Sequence, residues 1–129
     1  MKKLFSFLVF VNLLTCAGSA LAESQLSLYG SLPGGRRGAV YLGCVNCNKM
    51  DSDALANQFG DYGSQFSSTS IYSKFGDYGS QFSDVSACNP RAQNPPFIMD
   101  EDGKLRGFVT LNTRFNGTVI PPRLFGACR

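Results

Sequence analysis

Within residues 23–129, the side chains best suited to chemistry are those of four cysteines: Cys44, Cys47, Cys88 and Cys128. The C-x-x-C spacing of the first two is compatible with a redox pair or with half of a zinc site. However, the residues after Cys47 lack the helical pattern of a thioredoxin-like site, and the chain has no histidine to assist zinc binding. We therefore predict two structural disulfides, with Cys44 or Cys47 bonded to Cys88 and the other bonded to Cys128.

Two aspartates, Asp61 and Asp77, could be assembled into a hydrolytic carboxylate pair. They occupy equivalent positions in two identical sequence segments, however, and an acid and a base need different surroundings. The acidic stretch Asp100–Gly103 begins like a calcium-binding loop, but Leu111 stands where the twelfth-position glutamate belongs. The sequence therefore predicts a solvated turn at this stretch, and it predicts neither a bound metal nor a cofactor.

The identical segments are copies of the nonapeptide F-G-D-Y-G-S-Q-F-S, at Phe59–Ser67 and, sixteen residues later, at Phe75–Ser83. Glycines are too frequent here for a helix and favour turns. Three aromatics per copy, in a chain without tryptophan, favour a role in the core. The alternative is a face that stacks on envelope glycan or contacts another exported protein. Its residues would be Asp61, Tyr62, Asp77 and Tyr78.

The first 22 residues have the pattern of an export signal, with Lys2 and Lys3 before an apolar run and Ala20-Leu21-Ala22 before Glu23. A looser lipoprotein pattern, with Cys16 as the lipidated residue, is the alternative. Residues 23–129 would then be a single small domain in the periplasm or outside the cell. This part has ten basic and nine acidic residues, so it lacks the basic surface of a nucleic-acid-binding protein, and no transmembrane span is predicted after cleavage.

Several segments together resemble a group of short, exported bacterial proteins that carry Y-G-x-Y-G-S-x-Y-S repeats and end in a P-P-x-I-x-D-x-x-G hairpin. The resemblance spans residues 41–112 and includes Y-L-G-C-V-N-C, both nonapeptides, A-C-N-P-R-A and P-P-F-I-M-D. This chain has Phe where Tyr is usual in the repeat, and it adds Cys128. Because related segments sometimes accompany nuclease-like domains, the resemblance implies an accessory role at most. No catalytic residue carries over.

The residue pattern predicts a small β-rich fold stapled by disulfides. Its antiparallel sheet would contain Val40–Leu42, Phe97–Met99, Leu105–Leu111 and Thr118–Ile120. Within residues 95–120 we expect one hairpin around the acidic loop and a second at Asn116-Gly117. The repeat region, residues 59–90, should cover one face of the sheet as turns and short helical pieces, burying its six aromatics. If so, truncating Phe66 or Phe82 to alanine would cost about 3–5 kcal/mol.

Two functions from different classes follow from these features. One is a non-catalytic exported module, with a binding or structural role, that displays the repeat's aromatics to a partner. The other is a small hydrolase, or a nuclease-associated accessory protein, that uses Asp61 and Asp77. Carboxylates that converge in a cleft would favour the enzyme, whereas outward carboxylates above buried rings would favour the module.

The export signal gives the first testable prediction. We expect the mature protein to begin at Glu23, because Ala20-Leu21-Ala22 has the small residues that signal peptidase requires. The intact mass of the protein recovered from an expressing bacterium measures this directly. Retention of residues 1–22, or the added mass of a lipid on Cys16, would contradict the prediction.

Overall fold

The computed structural model describes residues 23–129, so the predicted signal and Cys16 lie outside the described residues. Five strands form one sheet in the order β2-β1-β3-β4-β5, and every neighbouring pair is antiparallel except β4 and β5. The strands are β1 (Ser27–Ser31), β2 (Ala39–Cys44), β3 (Phe97–Met99), β4 (Leu105–Val109) and β5 (Val119–Ile120). Short 3-10 helices occupy Pro33–Gly35 and Pro122–Phe125. The predicted small, β-rich fold is confirmed, and none of the described helices is long and apolar enough to cross a membrane.

Strand β1 lies inside the sheet and was not predicted as one of its strands. It pairs with β2 on one side and β3 on the other, so that Tyr29 lies opposite both Tyr41 and Phe97. Leu28 and Gly30 face the core, and both are buried. Glycine and serine make the sequence of β1 less typical of a strand. Pairing with a neighbouring strand on each side stabilises it nevertheless.

The predicted hairpin between β3 and β4 is present, and the acidic stretch forms its turn. One carboxylate oxygen of Asp100 accepts hydrogen bonds from the backbone N–H groups of Asp102 at 3.0 Å and Lys104 at 2.9 Å. Asp100 therefore stabilises the chain reversal itself, as aspartates in turns commonly do.

The second predicted hairpin, at Asn116-Gly117, is wrong because β5 runs parallel to β4. The chain reverses earlier, at the buried Asn112. The side-chain amide of Asn112 donates to the carbonyl of Ala92 at 3.0 Å, and its oxygen accepts the Arg114 N–H at 3.0 Å. Residues 111–118 then return alongside the C-terminal part of β4, where the Phe108 N–H donates to the Thr118 carbonyl.

The core lies between one face of the sheet and the repeat region, as the sequence predicts. Leu28, Leu42, Ile98 and Val109 of the sheet are all buried. The segment from residue 55 to residue 87 covers them with a second set: Leu55, Ile71, Tyr78, Val85 and Ala87. On the opposite face, aromatic rings pack side by side across four strands, with centroid separations of 5.6 to 6.4 Å between Tyr41, Tyr29, Phe97 and Phe108.

Two disulfides are present as predicted, but the predicted pairing is wrong. Cys44 bonds to Cys47 and Cys88 bonds to Cys128, with Cα–Cα distances of 5.6 and 5.2 Å. The chain turns sharply after β2 because the Asn46 side chain holds residues 24–26, accepting from the Leu26 N–H and donating to the Ser24 carbonyl. This turn brings Cys47 next to Cys44, and Cys88 bonds instead to Cys128 in the C-terminal segment.

The two bridges should contribute unequally to stability. Cys88–Cys128 closes a sequence separation of 40 residues and Cys44–Cys47 a separation of 3. In the chain-entropy model these loops are worth about 4 and about 2 kcal/mol, respectively. We therefore expect the C88S/C128S variant to unfold at a lower urea concentration than the C44S/C47S variant. Equal or reversed midpoints would contradict this ranking.

Candidate functional site

The repeat region is a series of turns that begin every three residues. Backbone N–H groups donate three residues back, from Ser67 to Ser64, Ser70 to Ser67 and Ser73 to Ser70. At several turns the polar residue that begins the turn also accepts from the N–H two residues on, as in Ser70 with Tyr72 and Ser86 with Cys88. Such side-chain bonds satisfy backbone donors where no helix or sheet can do so. The run of serines at residues 64, 67, 70 and 73 was a sequence signal for this structure.

Turn geometry explains why four phenylalanines point outward. Each lies two residues after the polar residue that begins a turn, at a corner of the chain. Their side chains are between 87 and 100% exposed. We call Phe59, Phe66, Phe75 and Phe82 the phenylalanine ladder. The prediction that all six repeat aromatics are buried is therefore wrong for these four, and so is the stability cost expected for truncating Phe66 or Phe82.

The two tyrosines of the nonapeptides point the opposite way and attach the repeat to the sheet. Tyr78 is 4% exposed, and its ring lies against the Cα of Gly30, where a Cβ would collide with it. Its hydroxyl donates to the Ser31 carbonyl at 3.1 Å. Tyr62 is half-buried, and its Cβ would be only 2.8 Å from a Cβ added to Gly43. Equivalent residues of the two copies thus pack on glycines of adjacent strands.

The glycine after each tyrosine is required by close packing within the repeat. A Cβ on Gly63 would fall on the backbone carbonyl of Asn57, and one on Gly79 on that of Ser73. Neither clash involves a flexible side chain that could move away. The nonapeptide therefore needs glycine here because its backbone passes directly over the preceding turn.

Tyrosine hydroxyls in and beside the repeat have raised pKa values. Burial, followed by a 2.8 Å hydrogen bond to the Asp53 carboxylate and the charge of that group, raises the pKa of Tyr41 to about 12. Burial also raises the pKa of Tyr72 and, together with the nearby Asp77 charge, that of Tyr78. These hydroxyls stay protonated at neutral pH and act as hydrogen-bond donors in the structure.

The phenylalanine ladder lines an open groove with a volume of about 1300 Å³. The C-terminal segment forms another part of its lining, and two residues sixteen positions apart hold that segment in place. Tyr72 donates its hydroxyl to the Phe125 carbonyl at 2.7 Å, and Cys88 is bonded to Cys128. The groove is therefore built from the repeat on one side and a fastened chain end on the other.

The structure separates the four residues of the predicted ligand face. Tyr62 and Tyr78 pack on the sheet, whereas Asp61 and Asp77 are exposed. Among the described residues, neither the groove nor a smaller cleft beside Arg36 is lined by Asp61 or Asp77. The exposed aromatics are the phenylalanines, which the sequence analysis had placed in the core.

No family model, curated protein sequence or solved structure matches this chain. Any conclusion about function therefore depends on the geometry of the ladder and its groove.

Opposite orientations of tyrosine and phenylalanine in one nonapeptide give a direct test. We expect Tyr78→Ala to lower the free energy of unfolding by about 3–5 kcal/mol, because it empties a buried site. Phe82→Ala should change it by less than about 0.5 kcal/mol, because its ring is exposed. Tyr78→Phe is the control: it keeps the ring and loses one hydrogen bond, worth about 0.5–1.5 kcal/mol. Equal losses in urea denaturation for Tyr78→Ala and Phe82→Ala would contradict the assignment.

Proposed function

We propose that this protein is a non-catalytic exported binding module and that the phenylalanine ladder is its binding surface. The observation that supports the proposal is the near-complete exposure of four large apolar rings around one groove. Monomeric soluble proteins rarely expose contiguous apolar patches larger than a few hundred Å². Four phenylalanines of about 150–250 Å² each exceed that amount.

The energetic argument points in the same direction. Full burial of a phenylalanine is worth about 1.5–3 kcal/mol, so the four rings together could contribute about 6–12 kcal/mol to an interface. That amount is comparable with the total stability of a small domain, about 5–15 kcal/mol. The fold leaves this free energy unused, since the turns that carry the rings are bonded through backbone and polar atoms. A partner that covers the ladder would use it.

Positions of the aspartates favour a module over the alternative hydrolase. Asp61 and Asp77 occur at equivalent positions of two identical turns, and both are exposed and outside the groove. A carboxylate pair needs two groups facing one bond from different surroundings. The repeat offers two similar, solvated environments instead.

Export is part of the proposal and has two kinds of support. Both disulfides fit an oxidising compartment such as the periplasm or the medium. The signal-like pattern of residues 1–22 fits as well. The resemblance to exported repeat proteins would give the module an accessory role beside other envelope components.

The test is retention of the purified protein on insoluble cell-envelope material. We expect the F59S/F66S/F75S/F82S variant to be retained at least about tenfold less than the wild type, because it removes all four rings. The substitutions should leave the turns intact, since these use backbone N–H groups, and a thermal melt checks this.

A matched control addresses nonspecific adhesion. Met50 and Leu124 are 78 and 75% exposed and lie outside the groove lining, so the M50S/L124S variant should be retained like the wild type. Equal retention of the ladder variant, or equal loss in the control, would overturn the proposed function.

A further inference from the structure

Every ring of the phenylalanine ladder has a long polar side chain immediately before it. The pairs are Gln58-Phe59, Gln65-Phe66, Lys74-Phe75 and Gln81-Phe82, and all eight residues line the groove. Because the two members of a pair are adjacent at one turn corner, an aromatic face and a hydrogen-bonding group are presented together four times. The surface is thus mixed rather than simply apolar.

The three glutamine amides of these pairs are free to bind. Among the described residues, no hydrogen bond uses the side chains of Gln58, Gln65 or Gln81, and all three are exposed. Each amide can donate and accept, as a hydroxyl does. A ligand that presents many hydroxyl groups would therefore satisfy both functions of each amide.

Charge in the groove restricts the class of ligand further. The described lining contains the cations Lys74 and Arg129 and no aspartate or glutamate. A cationic ligand would meet no acidic side chain among these residues. Two copies of this chain packed ladder to ladder would gather the cations of both copies in an interface without acidic side chains, and such like-charge juxtaposition is costly.

The spacing of the repeat suits a linear, periodic ligand. Gly43 and Gly30, on which the two tyrosines pack, lie on adjacent strands, and Gly43 pairs with Leu28, two residues from Gly30. The two copies therefore lie side by side over neighbouring strands, and each carries two rings of the ladder. A ligand that is itself a linear repeat would present similar units to both copies.

Pyranose rings whose substituents are equatorial combine the required properties. Their faces carry C–H groups that stack on aromatic rings, and their edges carry hydroxyls that hydrogen-bond to amides. Resting on the proposed function, we propose that the ladder binds a linear, β-linked polysaccharide through its four Gln/Lys–Phe pairs.

Calorimetric titration of the mature protein with cellohexaose, chitohexaose and maltohexaose tests the ligand class. Cellohexaose and maltohexaose have the same composition and differ in linkage, so we expect binding of at least one β-linked hexamer and none of the α-linked one. Phe75→Ser should weaken that binding about tenfold. Gln81→Leu should weaken it as well, although it makes the groove more apolar, because an amide partner of the hydroxyls is lost.

The remaining outcomes separate this inference from the proposed function. If no β-linked hexamer binds while retention on the envelope still depends on the ladder, the polysaccharide assignment is overturned and the module stands. Tighter association of Gln81→Leu with envelope material, or a ladder-dependent dimer in sedimentation, would likewise overturn it in favour of a protein partner or a second copy. Loss of ladder-dependent retention together with no oligosaccharide binding would overturn both.

Discussion

Contact between Tyr78 and the backbone of Gly30 is the constraint on which the rest of the structure depends. Gly30 lies on β1, the strand bonded on both sides between β2 and β3, and its missing side chain leaves room for the ring. Tyr62 contacts Gly43 of the next strand through its Cβ rather than through its ring. Once both tyrosines are fixed, the turns between them are fixed as well. The phenylalanines at the outer corners then have no surface of their own chain to cover.

A region with so little regular structure is stable only if its backbone groups find partners. Here the serines and asparagines that begin successive turns supply them, and the bonds are local and repeated. Among the described residues, no buried side-chain nitrogen or oxygen lacks a hydrogen-bond partner. Apolar burial therefore has to come from few residues per turn, chiefly Ile71, Val85 and the two tyrosines.

Features that depend on local pattern were predictable from the sequence. Strand β2, the hairpin around Asp100 and the presence of two disulfides follow from alternation, turn residues and cysteine number. Features set by distant contacts were not. The inner position of β1 depends on its pairing with both β2 and β3, and the parallel pairing of β5 depends on the chain reversal at Asn112. The bond between Cys88 and Cys128 depends on the turn at Asn46, which leaves Cys47 paired with Cys44. Composition alone also could not show that the phenylalanines of the nonapeptide point outward and its tyrosines inward, because the orientation of each ring follows from its place in the turn.

Packing of each nonapeptide on a glycine of its own strand has a consequence for how such proteins could vary. Inserting one sixteen-residue unit would add two further rings to the ladder, and on the proposed function it would increase avidity for a long polymer. The inserted unit would need another strand with a glycine at the position where its tyrosine packs. After the second copy, however, the chain continues with Cys88, Pro90 and Arg91 and leads into β3. The width of the sheet thus limits the valency of the ladder.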